Sequence, residues 1–125
     1  MDTEGGRTVL ILEDDPLIAS FMAKALGKKA YDVVCVDRGA AALERVSTGG
    51  VGVLLLDLGL PDMDGLEVLR RLRSAGSTLP VVVVTSRSDP GDRVEATALG
   101  VHGYIVKPFP LADLVSAVEG SLAGR

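Results

Sequence analysis

Five short apolar runs punctuate the chain: Val9–Leu12, Val33–Val36, Val51–Leu56, Val81–Val84 and Tyr104–Val106. The first, third and fourth are continuous instead of alternating. Such runs predict strands buried on both faces, as in a parallel sheet covered by helices. Helical spacings lie between them. Leu17, Ile18, Phe21, Met22, Ala25 and Leu26 repeat with a helical period behind Asp15 and Pro16, which read as an N-cap and a first-turn proline. Leu43 and Val46 mark a shorter, alanine-rich second helix. Leu66, Leu69 and Leu72 stripe a third, with Arg70, Arg71 and Arg73 largely outside the stripe. Val94, Ala98 and Leu99 give a weaker fourth, and Leu111, Leu114, Val115, Val118 and Leu122 a clear fifth. Strand and helix thus alternate five times, which predicts an α/β fold of crossover units on a mostly parallel sheet.

A chain of 125 residues has room for one such domain and little more. Hydrophobic residues at 47% and charged residues at 24% suit a buried core, not a disordered segment. Gly5-Gly6 predicts a flexible start over 1–7, and Ala123-Gly124-Arg125 a frayed end, leaving 8–123 as the domain. No linker, repeat or second domain is expected within these residues. No apolar run approaches the roughly 20 residues of a membrane helix, and MDTEGGRT has no signal-peptide pattern. A cytoplasmic location and no membrane partner are therefore expected. A net charge of −4, 3% aromatics and no tryptophan argue against direct nucleic-acid binding. The single cysteine, Cys35, lies in an apolar run and is expected as a small buried hydrophobe. The sole histidine, His102, has no second histidine to join at a metal and is expected on the surface or in a loop.

In open α/β sheets, ligands bind beyond the carboxyl ends of the strands. Glu13, Asp14 and Asp15 follow the first run, and Asp57 follows the third. Thr85 and Ser86 follow the fourth, and Lys107 and Pro108 the fifth. Two carboxylates about 4 Å apart repel by roughly 4 kcal/mol at an effective dielectric near 20. Converging acids therefore need a proton or a cation. A hard divalent ion with oxygen ligands suits them, and magnesium binds through one or two carboxylates plus phosphate oxygens. With a lysine and a hydroxyl opposite, the set describes phosphoryl transfer to a carboxylate. Singly, each residue has an ordinary explanation: Asp15 as a helix cap, Asp57 and Thr85 as strand-end turn residues, Lys107 as a solvated surface group. The signal is their common place at the ends of successive strands.

Four stretches carry a resemblance. They are Leu10-Ile11-Leu12-Glu13-Asp14-Asp15-Pro16; Leu55-Leu56-Asp57 followed by Leu60-Pro61-Asp62-Met63-Asp64-Gly65; Val83-Val84-Thr85-Ser86; and Gly103-Tyr104-Ile105-Val106-Lys107-Pro108-Phe109. In order and separation they resemble the receiver domain of bacterial response regulators, the CheY-like family, from Val9 to about Leu122. The resemblance implies a doubly wound (βα)5, flavodoxin-like fold with a five-stranded parallel sheet of order 2-1-3-4-5. It implies that Asp57 is the phosphoacceptor and also a metal ligand. Asp14 would ligate Mg2+ directly, Glu13 through water, and Gly59 through its backbone carbonyl, with Mn2+ as a substitute. Thr85 matches the switch hydroxyl, Tyr104 the switch aromatic, and Lys107 the lysine that pairs with the phosphate. The Lys107–Pro108 bond is cis in similar proteins.

The implied partners are a sensor histidine kinase or phosphotransfer protein upstream and an output domain or downstream protein. The signal would pass through the surface of the fourth helix, fifth strand and fifth helix. The chain would phosphorylate and dephosphorylate itself with Mg2+, without being an enzyme in the turnover sense. A monomer is expected, with a dimer on phosphorylation as the alternative. Three features depart from the common pattern. Gly100-Val101-His102-Gly103 replaces a frequent acidic pair, and the last helix lacks the basic residues of the winged-helix class, which argues against that class's usual dimer. Gly59 and Arg87 occupy positions where similar proteins tune autodephosphorylation, and Arg87 would screen or bind the phosphate. Three rivals remain at this point: an aspartyl-phosphate phosphatase, a flavin-binding carrier and an unphosphorylated interaction module. The first would want an acid where Gly59 stands; the second would want hydroxyls where Glu13, Asp14 and Asp15 stand.

Overall fold

The computed structural model describes residues 8–123. The expected flexible start over 1–7 and the last two residues of the expected frayed end lie outside them. Strands and helices alternate: β1 (Thr8–Leu12), α1 (Pro16–Gly27), β2 (Asp32–Val36), α2 (Gly39–Ser47), β3 (Val53–Leu56), α3 (Gly65–Ser74), β4 (Val81–Thr85), α4 (Pro90–Ala98), β5 (Gly103–Val106) and α5 (Leu111–Ala123). The strands form one parallel sheet of order β2-β1-β3-β4-β5. This is the expected doubly wound topology.

The continuous apolar runs are two alternating patterns interleaved. Leu10, Leu12, Leu54, Leu56, Val81 and Val83 face one side of the sheet, against Ala42 of α2, Leu66, Val68, Leu69 and Leu72 of α3, and Ala96 of α4. Val9, Ile11, Val53, Leu55, Val82 and Val84 face the other, against Met22 and Leu26 of α1 and Leu114 and Val118 of α5. Because successive side chains on a strand point to opposite faces, a sheet covered on both sides needs apolar residues at every position.

The edge strands are less covered, and there the sequence expectation for Cys35 fails. Cys35 is exposed. It sits on β2, the outer strand beside β1, and opens onto a shallow groove with Pro16, Ala19 and Ser20. The groove walls still desolvate the thiol enough to push its pKa up. Two helices also bury a different stripe from the one their apolar residues suggest. In α1, Ala19, Met22 and Leu26 are buried, whereas Leu17 and Phe21 are exposed. In α4, Ala96 is buried and Val94 exposed. His102 is exposed, as expected.

Helix starts are fixed by local caps, the expected Asp15 among them, and by one long-range cap. Asp15 accepts from the Leu17 and Ile18 N–H groups, Asp64 from Leu66 and Asp89 from Gly91. The residue before α2, Arg38, offers no side-chain cap. Asp62, far along the chain, supplies it instead. One of its oxygens accepts the Gly39 N–H at 2.8 Å and the other the Ala40 N–H at 3.0 Å. A Cβ at Gly39 would lie 2.7 Å from Cγ of Met63 and 2.8 Å from Cγ2 of the buried Val68, so a larger residue would force these side chains to shift. Arg73 has a similar bridging role: its guanidinium donates to the carbonyls of Ser77, Leu79, Leu99 and Gly100.

Candidate functional site

The sheet order reverses direction between β1 and β3, since the chain winds outward to β2 from one and to β4 from the other. Beyond the carboxyl ends of these strands lies a cleft of about 870 Å³, lined by Glu13, Asp14, Asp57, Gly59, Thr85 and Lys107, with Ile18, Phe21 and Phe109 at its apolar end. This is where a switch point opens a crevice in such sheets.

Each side chain is held by the strand that delivers it. The Glu13 N–H donates to the Val36 carbonyl and that of Asp57 to the Leu12 carbonyl, so both residues continue the sheet pairing by one step. Glu13 is 3% exposed and Asp57 7%. The Lys107 N–H donates to the Thr85 carbonyl at 2.8 Å, which fixes the start of the loop after β5. The following Lys107–Pro108 peptide bond is cis. The Lys107 ammonium lies 2.6 Å from Oε1 of Glu13 and 3.0 Å from Oδ2 of Asp57. The second oxygen of Glu13 accepts the Asp15 N–H, and that of Asp57 the Gly59 N–H. The loop after Asp57 returns through a bridge between Gly59 and Asp64, and the Gly65 N–H donates to the Leu58 carbonyl. A Cβ on Gly65 would strike the Asp57 carbonyl oxygen and Cα of Leu58. Only glycine allows α3 to start so close to the strand end.

Carboxylate oxygens of Glu13, Asp14 and Asp57 come within 4.8 Å of one another. Burial pushes the Glu13 carboxyl above the usual range, although the Lys107 and Asp15 hydrogen bonds oppose it and the Asp57 charge adds to it. Burial also works against the Lys107 ammonium, but its bonds to Glu13 and Asp57 outweigh that and hold its pKa above the usual lysine value. The two directions have different causes: burial dominates at Glu13, and the bonded acids prevail over burial at Lys107. Three acids and one lysine make an all-oxygen donor set with excess negative charge. A hard divalent cation fits it, and Gly59 lines the same cleft.

Thr85 is buried, and its Oγ1 accepts the Arg87 N–H at 3.2 Å. Tyr104 stands behind this loop. Its hydroxyl donates to the Arg87 carbonyl at 3.0 Å, and the Arg93 guanidinium lies over its ring at 5.1 Å. Arg87 reaches the cleft, but its charge is already paired: Nε and Nη2 bond Asp92 at 3.0 Å each, and Nη1 bonds Asp64 at 2.7 Å. The Arg87 guanidinium, expected near the phosphate, is here bonded to two carboxylates. The structure brings Glu13, Asp14, Asp57, Gly59, Thr85 and Lys107 to one cleft, with Tyr104 one layer behind. Sequence reasoning missed the Asp62 cap and the Asp64–Arg87–Asp92 cluster. Both join segments whose proximity no local pattern encodes.

Residues 9–119 match the response regulator receiver domain. Among curated proteins, the transcriptional regulatory protein TctD of Salmonella typhimurium is 41% identical over 114 residues, covering 91% of this chain and 51% of TctD. The two-component response regulator PhoP of Pseudomonas aeruginosa is 36% identical over 114 residues, covering 91% of this chain and 51% of PhoP. The chain spans about half the length of the curated relatives it matches. Among solved structures, the BeF3-activated N-terminal receiver domain of Klebsiella pneumoniae RstA superposes with a TM-score of 0.84 at 32% identity, covering 92% of this chain and 97% of that one. A CheY-like receiver domain of Methanospirillum hungatei shares the fold, with a TM-score of 0.89 at 24% identity over 94% of each chain. The chain belongs to the response regulator receiver domain family of two-component signalling.

Proposed function

We propose that the chain is a phosphoacceptor switch in which Asp57 takes a phosphoryl group from a phosphohistidine of a sensor histidine kinase or phosphotransfer protein. The observation that carries this reading is the buried Asp57 carboxylate. It is bonded through one oxygen to Lys107 and grouped with Glu13 and Asp14 on the floor of an open cleft. An oxygen of Asp57 attacks phosphorus, the P–N bond to the donor imidazole breaks, and the imidazole leaves with a proton. The product is an acyl phosphate on Asp57. Mg2+, or Mn2+ in its place, held by Asp14, Asp57 and the Gly59 carbonyl with Glu13 through water, would neutralise charge on the transferring oxygens. Lys107 supplies fixed positive charge on the same side, and the Thr85 hydroxyl donates to a phosphoryl oxygen.

Tyr104 then follows Thr85, and the surface of α4, β5 and α5 changes. Even a swing from 1:99 to 99:1 needs only about 5.5 kcal/mol of differential stabilisation. Residues 8–123 act as the receiver unit of a cytoplasmic regulator, monomeric before phosphorylation, and signal to an output domain or a downstream protein. Among the described residues no helix is long and apolar enough to cross a membrane.

Labelling by a small phosphodonor tests the reading. With Mg2+ the wild-type chain is expected to label and Asp57→Asn to lose the label, and excess chelator is expected to suppress labelling. An Asp57→Asn variant that labels like wild type removes Asp57 from the role. Equal labelling in chelator removes the metal.

A further inference from the structure

We infer that Asp62 is a positioning residue: its two bonds to the start of α2 hold the outer side of the loop after β3 and so place the Gly59 carbonyl. The inference rests on the phosphoacceptor reading above, which gives that carbonyl to the metal.

Gly59 has little of its own to hold it. It is exposed, and even an added Cβ would meet nothing within 4 Å. Its place is set by backbone bonds on the inner side of a short loop. The Gly59 N–H donates to Oδ1 of Asp57, and Gly59 bridges to Asp64, the residue that caps α3. The Gly65 N–H closes the loop on the Leu58 carbonyl. Residues 60–63 form the outer side, beyond that bridge. Leu60 and Met63 are partly buried against the core, whereas Pro61 and Asp62 are exposed.

Asp62 ties this outer side to a different element. Each of its oxygens takes one N–H of the first turn of α2, that of Gly39 at 2.8 Å and that of Ala40 at 3.0 Å. Backbone N–H bonds to an ionised carboxylate at a helix start are among the stronger hydrogen bonds, and two through separate oxygens fix direction as well as distance. Arg38 stands at the N-cap position in an extended conformation and makes no such bond, so α2 depends on the loop and the loop on α2. Groups that orient a metal ligand tune metal affinity. Without the Asp62 bonds the outer side of the loop is freer to move, and Gly59 spends less of its time where its carbonyl completes the donor set.

Asp62→Ala removes both bonds. Adding Arg38→Ser to it gives α2 a local cap from the residue that lacks one. The double variant repairs the helix start without tying down the loop, and its net charge equals that of wild type. Mg2+ affinity is measured by titrating metal-free protein, with the Gly39, Ala40 and Gly59 amide signals followed by NMR. Unfolding midpoints and the initial labelling rate at saturating Mg2+ are recorded on the same samples. Asp62→Ala is expected to weaken Mg2+ binding about three- to ten-fold, less than the roughly ten- to hundred-fold cost of losing a group bonded directly to a ligand. It is also expected to shift the Gly59 signal in metal-free protein and to keep the labelling rate at saturating Mg2+ near the wild-type value. The weakening persists at raised ionic strength, where loss of a distant charge would be screened. The double variant is expected to recover the unfolding midpoint while Mg2+ binding stays weak. Mg2+ affinity that recovers with the midpoint reduces Asp62 to a helix cap and overturns the inference. Wild-type affinity in Asp62→Ala, or a loss that vanishes in salt, overturns it too, and each of these leaves the phosphoacceptor reading standing. Wild-type protein that binds no Mg2+ and takes no label overturns that reading and this inference with it.

Discussion

Lys107 donates one hydrogen bond to Glu13 and one to Asp57, and its positive charge holds these acids together. It cannot neutralise all three, so part of the repulsion remains in metal-free protein. Asp57→Asn keeps an oxygen for Lys107 and removes one negative charge. In metal-free buffer it is expected to raise unfolding stability by about 1–3 kcal/mol, a fraction of the Coulomb repulsion of one close pair. Equal or lower stability by urea titration would contradict the crowding. The glycines of this loop separate cleanly. Gly65→Ala puts a methyl group on the Asp57 carbonyl and is expected to destabilise by about 1–3 kcal/mol. At Gly59 a Cβ meets nothing within 4 Å, so Gly59→Ala should change stability by under about 0.5 kcal/mol. Glu13, Asp57, Thr85 and Lys107 were legible in the sequence because each directly follows an apolar run, with Asp14 one residue beyond Glu13, and parallel strands bring such ends together. Cys35 was misread because its run resembles the others, and nothing in four residues says which strand lies at the edge.

The long-range links decide how the helices sit on the sheet. Asp62 caps α2 with both oxygens across a gap that the local sequence does not reveal, and Arg38 has no side-chain substitute to offer. Asp62→Ala is expected to lower the thermal midpoint and to loosen amide protection at Gly39 and Ala40 before other parts of α2. The backbone N–H groups of Ala40 and Gly39 hold the Asp62 carboxyl below its usual range, and the Arg87 guanidinium does the same for Asp92. A depressed carboxyl pKa contributes stability above the unfolded value and loses it as pH falls through the folded value. Both contributions are thus intact at neutral pH and fade only below about pH 3.8, the ordinary aspartate value. Asp62→Asn should flatten this part of the acid unfolding curve, measured by far-UV circular dichroism. Helix existence was legible from spacing, but the buried stripe was not always so. α1 carries more apolar residues than the sheet can cover, which leaves Leu17 and Phe21 outside.

For the whole molecule, the sheet sets the site before any metal or phosphoryl group arrives. Continuous apolar runs required two covered faces, and two covered faces with alternating helices required parallel strands, so the architecture followed from periodicity alone. The strand order did not. It came from the resemblance, and the sheet pairing bears it out. A ligand that binds only the folded chain stabilises it by about 2.7 kcal/mol at a hundredfold excess over its dissociation constant. Saturating Mg2+ should raise the unfolding midpoint of wild type accordingly, and Asp14→Asn should abolish most of that gain. The central claim is that the chain stores its signal as an acyl phosphate on one residue. Incubation with a small phosphodonor and Mg2+, reductive trapping and tandem mass spectrometry locate the modified position directly. The account predicts modification at Asp57 alone. Modification elsewhere with Asp57 untouched, or none at all, would contradict it.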